Sequence, residues 1–117
     1  MKRNIRWFLL LAVALAVPLY AHMKIEKTEP ATDSTISTAP KQIQVWFNET
    51  PDIKVTKMSL SGPSGEAKVA APRVDGKAIT AAVTGPLADG AYTATWQSAG
   101  DDGHLQKGEF KFTLKTK

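Results

Sequence analysis

The amino-acid sequence predicts an all-β domain, an antiparallel sandwich or barrel of seven short strands. Three observations point there. Apolar residues recur at every second position in several segments, the period of a half-buried strand. Turn signals separate those segments: Glu29-Pro30, Ala39-Pro40, Gly62-Pro63-Ser64-Gly65, Asp75-Gly76, Gly85-Pro86 and Asp89-Gly90. No convincing helix competes with them. Ala78–Val83 is alanine-rich, but it is short and carries Ile79, Thr80 and Val83.

The strands follow in order. Met23–Lys27 is the first short candidate. Gln42–Phe47 turns Ile43, Val45 and Phe47 to one face. Val55–Ser61, Ala67–Ala70 and Ala78–Val83 are the next three. Ala91–Trp96 places Tyr92, Ala94 and Trp96 together, and Glu109–Leu114 does the same with Phe110, Phe112 and Leu114. Aromatic residues at alternating positions supply the bulk that a small sandwich needs in its interior, so Phe47 and Trp96 read as core. Trp46 points away from Phe47 and is expected to be partly exposed or to line the edge of a site.

Residues 1–21 belong to a different class of segment. Lys2, Arg3 and Arg6 form a positive head, Trp7 to Leu19 is almost wholly apolar, and Ala21 is small. That order is the pattern of a secretory signal peptide. The apolar run has 13 residues and contains Pro18, short of the roughly 17–25 needed to span a bilayer. Cleavage after Ala21 would leave His22 as the new amino terminus and residues 22–117 as one small domain.

Charge must then be recounted. The full chain carries fifteen basic and eleven acidic side chains. Three of the basic residues and none of the acidic ones lie in residues 1–21, leaving twelve against eleven, or about +1. No cluster of basic residues interleaved with aromatics offers a nucleic-acid track. The chain has no cysteine, which removes disulfides and thiolate metal sites. The expected product is an exported, soluble domain held together by packing alone, with nothing to predict a dimer.

The chain has two histidines. One would be the mature amino terminus, His22. The other, His104, lies in the polar segment Ser98-Ala99-Gly100-Asp101-Asp102-Gly103-His104 between the two strongest strands. A terminal histidine offers its amine and Nδ1 to one metal as a chelate, and His104 supplies another nitrogen. Imidazoles suit Cu(II), near the top of the Irving–Williams order. Asp102 stands two residues before His104, so on an extended segment both side chains would point the same way. Its carboxylate would add an oxygen donor and offset charge. Amine and imidazole both bind protons near neutral pH, so copper affinity should fall in acid. The plainer readings are that each histidine is polar surface and that Asp101 and Asp102 are solvated turn residues.

Several segments together resemble the CopC/PcoC family of periplasmic copper-binding proteins. They are His22 with Thr28-Glu29-Pro30-Ala31, Val45-Trp46-Phe47-Asn48-Glu49, Leu87-Ala88-Asp89-Gly90-Ala91-Tyr92 with Trp96, Ser98 with Asp102-Gly103-His104, and Gly108-Glu109-Phe110-Lys111-Phe112. The resemblance implies a seven-stranded Greek-key β-sandwich of cupredoxin or immunoglobulin-like type. It implies one Cu(II) per mature chain, held by His22, Asp102 and His104, with Glu49 as an outer-shell candidate. It also implies a carrier or buffer in copper homeostasis and resistance. Such a protein would exchange copper with an inner-membrane transporter or another periplasmic copper protein, and would catalyse nothing. The family's loop is shorter between Ser98 and His104 and often has proline after the histidine, where this chain has Leu105. Only Met23 and Met58 remain after cleavage, so no separate methionine Cu(I) site is expected.

Two other functions fit parts of the pattern. A terminal histidine with a second histidine is similar to the copper brace of lytic polysaccharide monooxygenases, although the chain offers no aromatic substrate platform. An exported adhesion or structural module with incidental histidines is the other, since a sandwich alone implies no function.

Overall fold

Alternating side chains force a sheet to bury one face, and here two sheets bury theirs against each other. The computed structural model describes residues 23–117. Nine strands run through them: β1 Ile25–Glu29, β2 Ser34–Ile36, β3 Gln42–Phe47, β4 Lys57–Gly62, β5 Gly65–Ala67, β6 Arg73–Asp75, β7 Ala78–Ala82, β8 Gly90–Ala99 and β9 Leu105–Leu114. One sheet has the order β1-β3-β7-β6 and the other β2-β9-β8-β4-β5. A single 3₁₀ turn, Ile53–Val55, leads into β4.

The β-sandwich foreseen from the alternation is present, with three changes of detail. Nine strands, not seven, make up the described residues, because the three-residue strands β2 and β6 join the set. The pairing is antiparallel except for β2, which runs parallel to β9 from Ser34↔Phe112 to Ile36↔Leu114. Val55 belongs to the 3₁₀ turn, and the strand expected at Ala67–Ala70 is instead β5, ending at Ala67. Val69 makes only an isolated bridge to Val83.

The core is the sum of the inward positions. Ile43, Val45, Phe47, Ile79 and Ala81 come from the first sheet, and Met58, Leu60, Tyr92, Ala94, Trp96, Phe110, Phe112 and Leu114 from the second. Each large side chain buried this way stabilises the fold by about 1.5–3 kcal/mol. Phe47 meets Trp96 edge-on with ring centroids 5.1 Å apart, which ties the two sheets together. Trp96 can lie flat across β9 because its register partner is Gly108. A Cβ there would stand 2.7 Å from the indole Cζ2. Met23 is also in this core, 3% exposed. Trp46, expected to be partly exposed, is half-buried and carries the Lys27 ammonium 4.5 Å above its ring.

The β8–β9 hairpin dominates the second sheet. Its pairs run without a break from Gly90↔Leu114 to Ala99↔Leu105. The end of β8 is also held from its other side, where the Asp52 N–H donates to the Ala99 carbonyl at 2.8 Å. Ser98, 0% exposed, shares a 2.8 Å hydrogen bond with the Thr56 hydroxyl. The loop that follows, residues 100–104, is therefore carried on a rigid stem.

Candidate metal centre

Gly100 to His104 must reverse the chain in five residues. Gly103 takes φ +75°, the left-handed region that glycine enters without steric cost, and its N–H donates to the Gly100 carbonyl at 3.1 Å. Asp102 closes the turn from the side. Its Oδ1 accepts from the His104 backbone N–H at 3.0 Å, and its Oδ2 accepts from His104 Nδ1 at 3.1 Å. Aspartate favours this position because its short carboxylate reaches a backbone donor two residues on.

Asp102 and His104 thus bond to each other, where the sequence led us to expect two parallel side chains on an extended segment. An extended segment would have set the two side chains parallel; the structure brings them together through a turn. The ring contact also bears on the chemistry of the imidazole. A carboxylate can only accept, so of the two neutral tautomers this contact favours the one with its proton on Nδ1, the form that would offer Nε2 to a metal. The His104 side chain is 63% exposed and that of Asp102 29% exposed, so the pair is open to an ion from solvent.

Glu49 reaches the same loop from the first sheet. It stands just past the end of β3, and its Oε1 accepts from the Asp101 N–H at 2.7 Å. Gly100 leaves room for it, since a Cβ there would collide with that carboxylate. Asp101 contributes through its backbone.

His22 lies outside the described residues. The residues directly after it do not stray from the loop. The Met23 carbonyl accepts from Gln106 Nε2 at 2.9 Å, and Gln106 is two residues past His104 on β9. Lys24 exchanges hydrogen bonds with Asn48: its N–H donates to Asn48 Oδ1 at 2.7 Å, and its carbonyl accepts from the Asn48 N–H at 3.0 Å. Asn48 and Gln106 were not foreseen as part of the site. Nothing local marks either one, because each bonds to residues far away in sequence. Among the described residues, no three His, Cys, Asp or Glu side chains gather into a metal site; Asp102 and His104 form a pair.

The fold and this end of it define a small β-sandwich with a histidine–carboxylate pair beside its amino-terminal strand. The chain belongs to the CopC domain family, whose model matches residues 25–115. Among curated relatives, Copper resistance protein C of Escherichia coli is 30% identical over 90% of this chain and 90% of its own length. Protein YobA of Escherichia coli (strain K12) is 29% identical over 97% of this chain and 96% of its own. Copper transport protein CutJ of Bacillus subtilis (strain 168) is 27% identical over 97% of this chain, which matches only 22% of that longer protein.

Solved structures agree on the architecture. PcoC, a methionine-rich copper resistance protein from Escherichia coli, superimposes with a TM-score of 0.69 at 31% identity, covering 81% of this chain and 100% of PcoC. CopC from Methylosinus trichosporium OB3b, at 18% identity, shares the fold with a TM-score of 0.72 over 80% of this chain and 94% of that one. In the present chain Met23 and Met58, the two methionines among the described residues, are both core residues, 3% and 9% exposed.

Proposed function

We propose that this protein is a periplasmic Cu(II) carrier or buffer in copper homeostasis and resistance. The single observation that carries the reading is the convergence of the amino-terminal strand and the His104 loop on one end of the sandwich. Relatives named for copper resistance and copper transport support copper as the cargo. On this reading residues 1–21 direct export and are removed, and His22 becomes the terminus. Its amine and Nδ1 chelate one Cu(II), and His104 adds Nε2. Asp102 orients the His104 ring through Nδ1, and to add its own oxygen to an ion on Nε2 it would first have to let go of that nitrogen.

The residues fit the metal. Nitrogen donors with one carboxylate suit Cu(II), and a carboxylate hydrogen-bonded to the non-ligating nitrogen of a histidine is a common way to orient that ligand. The chemistry is coordination and ligand exchange with an inner-membrane copper transporter or another periplasmic copper protein; no bond in a substrate is broken. Protons compete with copper for the terminal amine and the imidazole nitrogens, so affinity falls as pH falls.

The test is Cu(II) binding to protein beginning at His22, with electron paramagnetic resonance to count nitrogen donors. The control carries one extra residue before His22, which converts the amine to an amide. A tight, nitrogen-rich site that weakens in the control supports the carrier reading. Equal and weak binding by both forms overturns it.

A further inference from the structure

We infer that Gln106 is a positioning residue for the copper site, holding the amino-terminal end of the mature chain against β9, the strand that follows His104. This rests on the carrier reading above. Gln106 faces Ser98 across the hairpin, and Ser98 is 0% exposed, so the glutamine amide enters the end of the sandwich and not the solvent. There its Nε2 donates to the Met23 carbonyl at 2.9 Å, joining residues 83 apart in sequence. Its Oε1 is buried and has no hydrogen-bond partner among the described residues.

A long polar side chain withdrawn from water with half of its amide unsatisfied is unfavourable for stability. Its register partner Ser98 is already bonded to the Thr56 hydroxyl and the next inward position on β9 is Gly108, so neither supplies the missing partner. What the amide supplies is a donor aimed at one carbonyl. That carbonyl belongs to the residue directly after His22, whose Cα is about 3.8 Å further along the chain. The Met23 side chain, 3% exposed, anchors the same residue in the core, and Asn48 fixes Lys24 from the other sheet. A chain end left unheld frays. Met23 and Lys24, clasped from both sheets, hold the chain that leads to His22, and preorganisation of this kind raises affinity without adding a ligand.

The experiment uses protein beginning at His22 with Gln106→Glu and Gln106→Met. Both keep the side-chain length and remove the N–H donor, so either one serves if the other folds poorly. Tyr92→Phe, at the opposite end of β8, is the control for a general loss of stability. In metal-free protein, the Gln106 variants are expected to speed amide exchange at Lys24 and leave the core strands protected. With Cu(II), affinity is expected to fall by about 10- to 100-fold, as for other residues that orient ligands. The paramagnetic spectrum should gain a component with fewer nitrogens, whereas Tyr92→Phe keeps the parent spectrum. Unchanged Lys24 exchange, affinity and spectrum in both Gln106 variants, with tight binding by the parent, overturns the inference and leaves the carrier reading standing. Absence of a nitrogen-rich site in the parent protein itself overturns both.

Discussion

Asp102 grips His104 at two points, the backbone N–H at 3.0 Å and the ring Nδ1 at 3.1 Å. One carboxylate therefore both closes the turn and holds the ring. Asp102→Ala removes both contacts, and Cu(II) affinity is expected to fall by about 10- to 100-fold. Asp102→Asn keeps an acceptor for the backbone N–H and is expected to fold the loop more nearly as the parent does. Nitrogen chemical shifts of the His104 ring check the point. The metal-free parent should show the Nδ1–H form, and Asp102→Ala a mixture. A mixture already present in the parent would count against this account.

Glu49 should act on the loop without being needed by the fold. Its carboxylate accepts from the Asp101 N–H at 2.7 Å at the surface. Glu49→Ala is expected to cost about 1 kcal/mol of stability and to raise amide exchange at Asp101. Glu49→Gln keeps the acceptor and should lie close to the parent. Copper titration of the same pair is expected to show Glu49→Ala several-fold weaker. Equal Asp101 exchange in both variants would show that the contact is idle in solution.

Trp96 and Gly108 make a separate prediction about packing. An alanine Cβ at 108 would stand 2.7 Å from Trp96 Cζ2 and 2.8 Å from Nε1. The indole cannot retreat freely, because Phe47 meets its other side at 5.1 Å. Gly108→Ala is expected to destabilise by about 1–3 kcal/mol. Thermal unfolding checks it, at about 4–8 °C per kcal/mol for a domain of this size. An unchanged Tm would mean that the interior yields more readily than its contacts imply.

Tyr92 governs the alkaline limit. Burial, the largest cause, raises its ionisation above the ordinary 10.0, and the Asp89 charge adds to the rise. The folded value therefore lies above the unfolded one. The stability this contributes is complete below about pH 10 and is lost as pH climbs through the folded value. Tyr92→Phe should be less stable at neutral pH by about 1 kcal/mol, for the lost hydrogen bond to the Ala88 carbonyl, and should lack this share of the alkaline loss. Denaturant midpoints across pH, with tyrosinate absorbance as the titration signal, measure both.

Legibility in the sequence followed the range of the interaction. β3, β8 and β9 could be read directly, because burial of one face writes an alternation into six or more successive residues. β2 and β6 could not. Three residues hold too little alternation, and Ser34–Ile36 is a strand only because β9 lies beside it. At the site, Asp102 and His104 were visible as residue types at a suggestive spacing. Their geometry was not, since it depends on a left-handed Gly103. Gln106 and Asn48 were invisible for the same reason as β2: their partners are brought to them by the fold.

If the protein carries copper as proposed, the unbroken β8–β9 ladder has a kinetic consequence. Both strands are ten residues long and paired up to Ala99↔Leu105, so the scaffold has no refolding to do when cargo arrives or leaves. The His104 imidazole, 63% exposed at the tip, can change partners one bond at a time. Hand-over would then run at the pace of ligand substitution on copper, through a shared intermediate with a docked acceptor, and not at the pace of a conformational gate.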